Sequence, residues 1–196
     1  MSLTFNIHKN MKRFLLLFFV FATIANGADR PKAASGFTWK SYELCDIQIP
    51  AGWHVLPTNA GATQVIRISP EPLKNGKAMA TGFTMNMVKA KTPQQWNEAM
   101  KMVGTVMSDI REATPNPIQS SIQDEKDMLL MIIEGERLIP TAPNPEKKYH
   151  VRTIVRAFPQ YATVYIYSFG APVDEWEKAW KTGTVMLNPI WFHLSK

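Results

Sequence analysis

The stretch Thr163–Phe192, TVYIYSFGAPVDEWEKAWKTGTVMLNPIWF, decides the fold. Its first part, Val164–Phe169, carries the β-branched and aromatic residues that are typical of a strand. Gly170–Pro172 then predicts a break in that strand. Trp176 and Trp180 follow one helical turn apart and predict a helix with two large apolar rings on one face. We therefore expect a corner, made of a strand, a break and an aromatic-faced helix, against which the rest of the chain packs.

The composition is that of a globular chain with ample core material. The 196 residues are 45% hydrophobic and include six Trp and ten Phe, which suggests one domain with a short appendage. The formal charge is +6, but Lys9, Lys12 and Arg13 precede Ala28 and no acid does. The 22 basic residues less these three leave 19 against 16 acids, a net charge of +3 from Ala28 onward. Such a mildly basic domain does not have the charge of a nucleic-acid-binding protein.

The N-terminal region predicts export. A basic start, Met11–Arg13, precedes the apolar run Phe14–Ala25, and small residues stand at Ala25 and Gly27. This is the pattern of a secretory signal peptide over residues 1–27, with cleavage between Gly27 and Ala28 and Met11 as an alternative start. The run is shorter than the roughly 20 residues that span a bilayer. An uncleaved anchor or a buried helix is the alternative interpretation.

The predicted organisation after cleavage is a flexible leader over residues 28–36 and a single domain over residues 37–196. No cysteine stands at the end of the apolar run, so we expect neither a lipid anchor nor a stable membrane anchor after cleavage. The expected location is the periplasm or the medium. The sequence leaves the oligomeric state open.

A second helix signal lies in the middle of the chain. Thr92 suits an N-cap, Pro93 suits the first helical position, and Gln95 completes a capping box. The apolar residues that follow at helical spacing are Trp96, Ala99, Met100, Val103, Met107 and Ile110. This pattern predicts an amphipathic helix with one buried face.

The remaining segments read as strands joined by short turns, which favours an antiparallel sheet. Met128–Ile133 is an unbroken apolar run and predicts a central strand covered on both faces. With two helices in the pattern, the predicted fold class is α+β: an antiparallel β-sheet covered by helices on both faces.

Two motifs resemble a known family. Asp46–Trp53, DIQIPAGW, looks like a strand followed by a Pro and Gly-Trp turn, and Tyr165–Phe169 through Trp176 to Leu187 looks like a closing strand and helix. Together with the element order over residues 37–192, they resemble the PsbP-like fold, an α/β/α sandwich. That fold is shared by the PsbP protein of photosystem II, a nuclear Ran-binding factor and DcrB-like bacterial envelope proteins. The resemblance implies a non-enzymatic binding or assembly module, and the signal peptide argues against the nuclear role.

Motifs of catalysis and metal binding are missing from the sequence. Cys45 is the only cysteine, so neither an intramolecular disulfide nor a cysteine-based zinc site is possible. His54, His150 and His193 are not spaced as a metal pair, and the chain has no nucleophile elbow, phosphate loop or dinucleotide fingerprint. We therefore assign no catalytic residue, no metal and no cofactor.

The leading hypothesis is an exported, non-enzymatic binding or assembly factor of the cell envelope. The expected partner is an envelope protein or an anionic surface or ligand, with no nucleic acid involved. The alternative from another class is a small exported hydrolase with a site near the Trp53–His54 turn, where Cys45 could act as a nucleophile only if the turn brings it to His54.

The candidate binding residues fall in two places. Trp53 and His54 could rim a pocket at the Gly-Trp turn. The densest basic segment, Lys147, Lys148, His150 and Arg152 with Arg156 beyond it, could bind an anionic partner. The alternative for that segment is a solvated loop and strand face without a binding role.

The signal-peptide pattern predicts that the mature protein begins at Ala28. Intact-mass measurement of the exported protein should give the mass of residues 28–196. A mass that retains Phe14–Ala25 would show that the apolar run is an anchor and not a cleaved signal.

Overall fold

The computed structural model describes residues 30–74, 78–125 and 127–194. The predicted signal peptide and its cleavage site at Gly27 and Ala28 lie outside the described residues. In chain order the elements are β1 (Phe37–Ser41), β2 (Cys45–Pro50), β3 (His54–Ala60), β4 (Thr63–Ser69), β5 (Gly82–Lys89), α1 (Pro93–Ala113), β6 (Gln119–Glu125), β7 (Met128–Leu138), β8 (Lys148–Phe158), β9 (Thr163–Pro172), α2 (Trp176–Leu187) and β10 (Trp191–Phe192). This content of antiparallel strands and two helices confirms the α+β class.

The strands form two sheets. Seven of them follow the order β3-β4-β5-β9-β8-β7-β6, and the other three form a small sheet in the order β1-β2-β10. Every pairing is antiparallel. Most neighbours in the large sheet are also neighbours in sequence, so short turns build most of it. The pairing of β5 with β9 joins the two halves of the large sheet, although α1 and three strands separate β5 from β9 in the sequence.

Alternate residues of the large sheet enter two different hydrophobic clusters. On β8, Val155 belongs to the cluster that contains Val103 of α1, whereas Ile154 belongs to the cluster that contains Trp176 of α2. Val155 and Ile154 are successive residues of one strand, and successive side chains point to opposite faces. The second cluster also includes Cys45, Ile47 and Ile49 of β2, so the small sheet packs in the same cluster as α2.

Helix α1 begins where the sequence predicts it. Thr92 Oγ1 accepts a hydrogen bond from the backbone N–H of Gln95 at 3.2 Å, and Gln95 Oε1 accepts one from the backbone N–H of Lys91 at 2.8 Å. These bonds satisfy N–H groups that the helix itself leaves unpaired. Of the predicted inward residues, Val103 is buried, but Trp96 and Met100 are only half-buried.

Two strand predictions differ from the structure. β7 lies beside the edge strand β6 and is not central, so Met128–Met131 is only half-buried. The expected break at Gly170–Pro172 is instead the end of β9, because Gly170 pairs with both Gly82 and Val151. Pro172 is tolerated there because it occupies the last position of the strand.

The small sheet was not predicted, and it carries the described part of the expected leader. The Trp39 indole N–H donates to the carbonyl oxygen of Pro31 at 2.9 Å, and the Ala34 backbone N–H donates to Gln48 Oε1 at 2.7 Å. Arg30 also forms an ion pair with Asp46 at 2.5 Å. Residues 30–36 therefore lie against β1 and β2.

The packing of α1 predicts a strong contrast between two aspartate substitutions on the same helix. Val103→Asp would bury an unpaired charge and should lower the free energy of unfolding by roughly 3 kcal/mol or more. Lys101→Asp places the same side chain at an exposed position and should change it by less than about 0.5 kcal/mol. Chemical denaturation measures both values, and equal effects would show that the helix is rotated relative to the sheet.

Candidate functional site

Helix α2 places a stack of aromatic rings on β8. The rings of Trp180 and Trp176 lie 4.8 Å apart at 18°, and the Trp176 ring lies 3.9 Å from the His150 imidazole at 11°. Phe169 of β9 supports both tryptophans, with its ring centroid 6.1 Å from each. His150 is therefore held by stacking and is not a free surface imidazole.

Glu134 of β7 joins the stack to the neighbouring strand. His150 Nε2 lies 3.0 Å from Glu134 Oε1, and Arg152 donates a hydrogen bond to Glu134 Oε2. Glu134 and Arg152 are direct cross-strand partners in the β7–β8 register. The Arg152 guanidinium also lies 5.9 Å from the Trp180 ring centroid, which completes a ring of contacts. These groups form a partly buried, charge-compensated network.

The predicted basic segment is consequently divided. His150 and Arg152 contact Glu134, while Lys147 Nζ forms an exposed ion pair with Asp174 at 3.3 Å. Lys148 is exposed at the start of β8. The structure does not present the predicted cations as one open basic face, because Glu134 and Asp174 pair with three of them and His150 is covered by Trp176.

Arg156 is the most buried member of that segment, at 3% exposure. Its guanidinium lies 5.3 Å from the Phe192 ring centroid, and its Nε has no hydrogen-bond partner within the part of the chain that the structure describes. The buried Tyr167 hydroxyl also lacks a partner there. Burial raises the pKa of Tyr167, and the nearby Arg156 and Arg152 act in the opposite direction. Tyr167 belongs to the hydrophobic cluster that contains Trp176 and Phe192, and Arg156 lies against it; we call this cluster the α2-side core.

The structure separates the two residues of the Trp53–His54 turn. Trp53 is half-buried and stacks on Phe169 at 6.5 Å and 22°. His54 is exposed and pairs with Ser69 in the β3–β4 register. Trp53 therefore adds to the α2-side core, whereas His54 faces solvent.

Cys45 lies in an apolar core environment. Its Sγ is 3.4 Å from Met87 Sδ and 3.8 Å from Met85 Sδ, and no contact with His54 occurs among the described residues. Burial, together with the charge of Asp46, raises the pKa of the Cys45 thiol well above its usual range. A protonated, buried thiol is a poor nucleophile.

A cleft that sequence reasoning missed opens at the end of β7. Its volume is about 520 Å³, and its lining consists of Ala113, Pro115, Asn116, Ile118, Glu136, Arg137, Leu138 and Lys148. We call it the edge cleft. Ile118 is 67% exposed and Leu138 is 53% exposed, and Lys148 is the one predicted site residue that lines it. The available signal was an apolar residue within two positions of a proline at both places, Pro117–Ile118 and Leu138–Pro140.

Metal-binding clusters and membrane-spanning helices are both absent from residues 30–74, 78–125 and 127–194. Within these ranges no three His, Cys, Asp or Glu side chains are grouped so that they could hold a metal ion. None of the helices in the same ranges has the length and apolarity needed to cross a membrane.

Comparison with known proteins gives structural similarities only. No family model matches the sequence, and no curated protein matches it significantly. The solution structure of cyanobacterial PsbP (CyanoP) from Synechocystis sp. PCC 6803 has 13% identity and a TM-score of 0.49, with 86% of this chain and 99% of that chain covered.

Two further solved structures are similar over most of their length. The Ran-binding protein Mog1p from Saccharomyces cerevisiae has 11% identity and a TM-score of 0.40, with 81% of this chain and 96% of that chain covered. A Pseudomonas aeruginosa protein of unknown function, described as a putative regulator, has 11% identity and a TM-score of 0.38, with coverages of 78% and 96%. At these values the similarities concern the course of the chain and carry no inference about function.

The two ion pairs near α2 should differ in their effect on stability. Glu134→Ala would leave Arg152 partly buried without its carboxylate and should lower the free energy of unfolding by about 2 kcal/mol, between the values typical of exposed and buried pairs. Asp174→Ala breaks only the exposed pair with Lys147 and should cost less than about 1 kcal/mol. Urea denaturation of both variants measures the contrast. Comparable losses would mean that Glu134 does not hold the network.

Proposed function

We propose that this protein is an exported, non-enzymatic binding or assembly module of the cell envelope, and that its contact surface is the β6–β7 edge with the edge cleft. The observation that carries the proposal is the grouping of exposed aliphatic side chains there. Ile118 and Leu138, which are 67% and 53% exposed, line the edge cleft, and Ile122, which is 57% exposed, lies further along β6 opposite Met131. The fourth large apolar side chain exposed in the described residues, Val173, lies outside β6 and β7. Exposed apolar side chains that cluster on one edge are typical of interaction sites.

The edge strand adds a second means of recognition. Among the strands of the described residues β6 pairs only with β7, so its outer backbone groups are available to another strand. An extended segment of a partner can add to such an edge and place alternate side chains in neighbouring pockets. Edge-strand pairing would supply affinity, and the edge cleft would select the side chain.

The charges of the edge cleft define the partner further. Arg137 and Lys148 contribute two cations and Glu136 one acid, so the cleft is apolar with a small positive excess. The proposed partner is therefore an envelope protein with an extended segment in which an aliphatic residue stands next to an acid. Of the predicted basic segment, the proposed surface includes only Lys148. Lys147, His150 and Arg152 are left out because they contact Asp174 or Glu134.

We also propose that the fold is an α/β/α sandwich of the PsbP-like kind. The two motifs that carried the resemblance have the expected local structure: β2 runs into the turn before Trp53, and β9 is followed by α2. The packing of α1 and α2 in separate clusters is consistent with this architecture.

The test is capture of partners from the envelope fraction of the native host with the processed protein. Ile118→Ser combined with Leu138→Ser should reduce the captured amount of a specific partner by roughly tenfold or more, because apolar anchors dominate interface energies. Lys148→Gln should give a smaller loss that is largest at low salt, because an exposed charge acts mainly through screened attraction.

Val173→Ser is the matched control, since it removes an exposed aliphatic side chain outside the β6–β7 edge. It should capture as much partner as the wild type. Equal capture by the double serine variant and the wild type would refute the β6–β7 edge as the contact surface. Turnover of ester or peptide substrates by the wild type, lost in His54→Ala, would instead favour the hydrolase.

A further inference from the structure

A second cavity lies on the α1 side of the large sheet and shares only Arg137 with the lining of the edge cleft. Its volume is about 280 Å³, and its polar lining comes from Arg67, Thr84, Arg137, Tyr149 and Ser168. These residues come from five neighbouring strands, so the sheet itself is the floor of the cavity. No carboxylate is present in the lining.

Two glycines create the depression in the floor. Gly82 of β5 pairs with Gly170 of β9, and both line the cavity. Gly82 has a φ of +155°, and a Cβ at this position would come within 2.3 Å of the Ile68 carbonyl oxygen, so no other residue fits there. Because neither position carries a side chain, the sheet surface is open between its neighbours. We call this space the glycine-floored cavity.

Arg137 lines the cavity and has N–H groups left over for a ligand. Arg137 and Tyr149 are direct cross-strand partners in the β7–β8 register. Arg137 Nη1 donates to Thr114 Oγ1 at 3.3 Å, and no acid among the described residues forms an ion pair with Arg137. Burial lowers the pKa of Arg137 to about 10. A guanidinium has five N–H donors, so most of its capacity remains for another acceptor.

Tyr149 is the second observation that points to a ligand. The residue is only 1% exposed, and its hydroxyl has no hydrogen-bond partner within the described ranges. A buried hydroxyl without a partner is costly, roughly 1–3 kcal/mol. Because Tyr149 and Arg137 line the same cavity, an acceptor that enters from outside the chain could pair with both residues.

Apolar residues, among them Ala80, Ile139 and Val151, also line the cavity. Tyr149 and Val151 pack with Ala80, Ile139 and Ala142. Glu71, which does not line the cavity, accepts hydrogen bonds from the backbone N–H groups of Ala80 and Thr81 at 3.2 and 3.1 Å. Glu71 is therefore engaged by the backbone that it holds in place.

We infer that the glycine-floored cavity binds a small organic anion, with its phosphate or carboxylate group on Arg137 and the Tyr149 hydroxyl. Arg67 of β4 supplies a second cation at the other end of the cavity. Strands β5, β9 and β8 lie between β4 and β7, the strand that carries Arg137. A guanidinium and a phenol next to apolar walls match a ligand that has one anionic head and a small apolar body. This inference does not depend on the partner surface proposed above.

The test is calorimetric titration of the processed protein with phenyl phosphate and with benzoate, and phenol serves as the uncharged probe. One of the two anions should bind saturably with one site per chain, and phenol should bind at least roughly tenfold more weakly, because a charged hydrogen bond is lost. Which anion binds better identifies the head group. Absence of saturable binding of both anions at low-millimolar concentration would overturn the inference.

Three variants locate the site. Arg137→Gln should weaken binding of the preferred anion by roughly tenfold or more, and Tyr149→Phe by about three- to tenfold, since each removes one donor. Arg111→Gln makes the same change as the first variant on the exposed face of α1 and should bind within twofold of the wild type, a span of about 0.4 kcal/mol.

Fold integrity is checked by thermal denaturation. Tyr149→Phe removes a hydroxyl without a partner, so its Tm should equal or exceed that of the wild type, and it decides the outcome if Arg137→Gln does not fold. Ile118→Ser with Leu138→Ser should bind the anion as the wild type does, which separates this site from the edge cleft. Wild-type affinity in Tyr149→Phe and Arg137→Gln would place the anion elsewhere and refute the assignment.

Discussion

The close contact between Gly183 of α2 and the ring of Phe169 on β9 is the constraint on which much of the structure depends. A Cβ at position 183 would come within 2.7 Å of Phe169 Cδ1, so α2 reaches this distance only with a glycine. The same helix position brings Trp176 onto His150 and Trp180 beside Arg152. A methyl group at position 183 would push α2 away from β9 and loosen this stack, because closely packed interiors have no space for an added group.

The charge of β8 is set by the groups that its cations meet more than by their density in the sequence. Lys148, His150, Arg152 and Arg156 share one face of the strand, but Glu134 on β7 contacts His150 and Arg152, and Arg156 is buried. Lys147 is compensated by Asp174 from the segment before α2. The surface that we propose for a partner is therefore more apolar than the predicted basic segment, and it lies at the β6–β7 edge.

The end of β7 borders both the edge cleft and the glycine-floored cavity. Leu138 lies at the edge cleft, whereas its neighbour Arg137 lines both that cleft and the glycine-floored cavity. Gly135, on the same side of the strand as Arg137, permits the close approach of Thr114, because a Cβ there would lie 2.6 Å from Thr114 Cγ2. That approach positions the acceptor for the Arg137 guanidinium. A small set of positions thus links the end of α1, the sheet and the cavity.

The sequence by itself determined the local elements: the capped start of α1 at Thr92, the strand of β9 and the aromatic face of α2. Caps, turns and side-chain periodicity act over a few residues, and the sequence states them directly. Only the tertiary structure decided that β7 lies beside an edge, that β2 and β10 form a second sheet, that Glu134 engages His150 and Arg152, and that Arg137 meets Tyr149 above two glycines. These features depend on which distant segments pair and in which register, and single-chain patterns do not encode the partner of a strand.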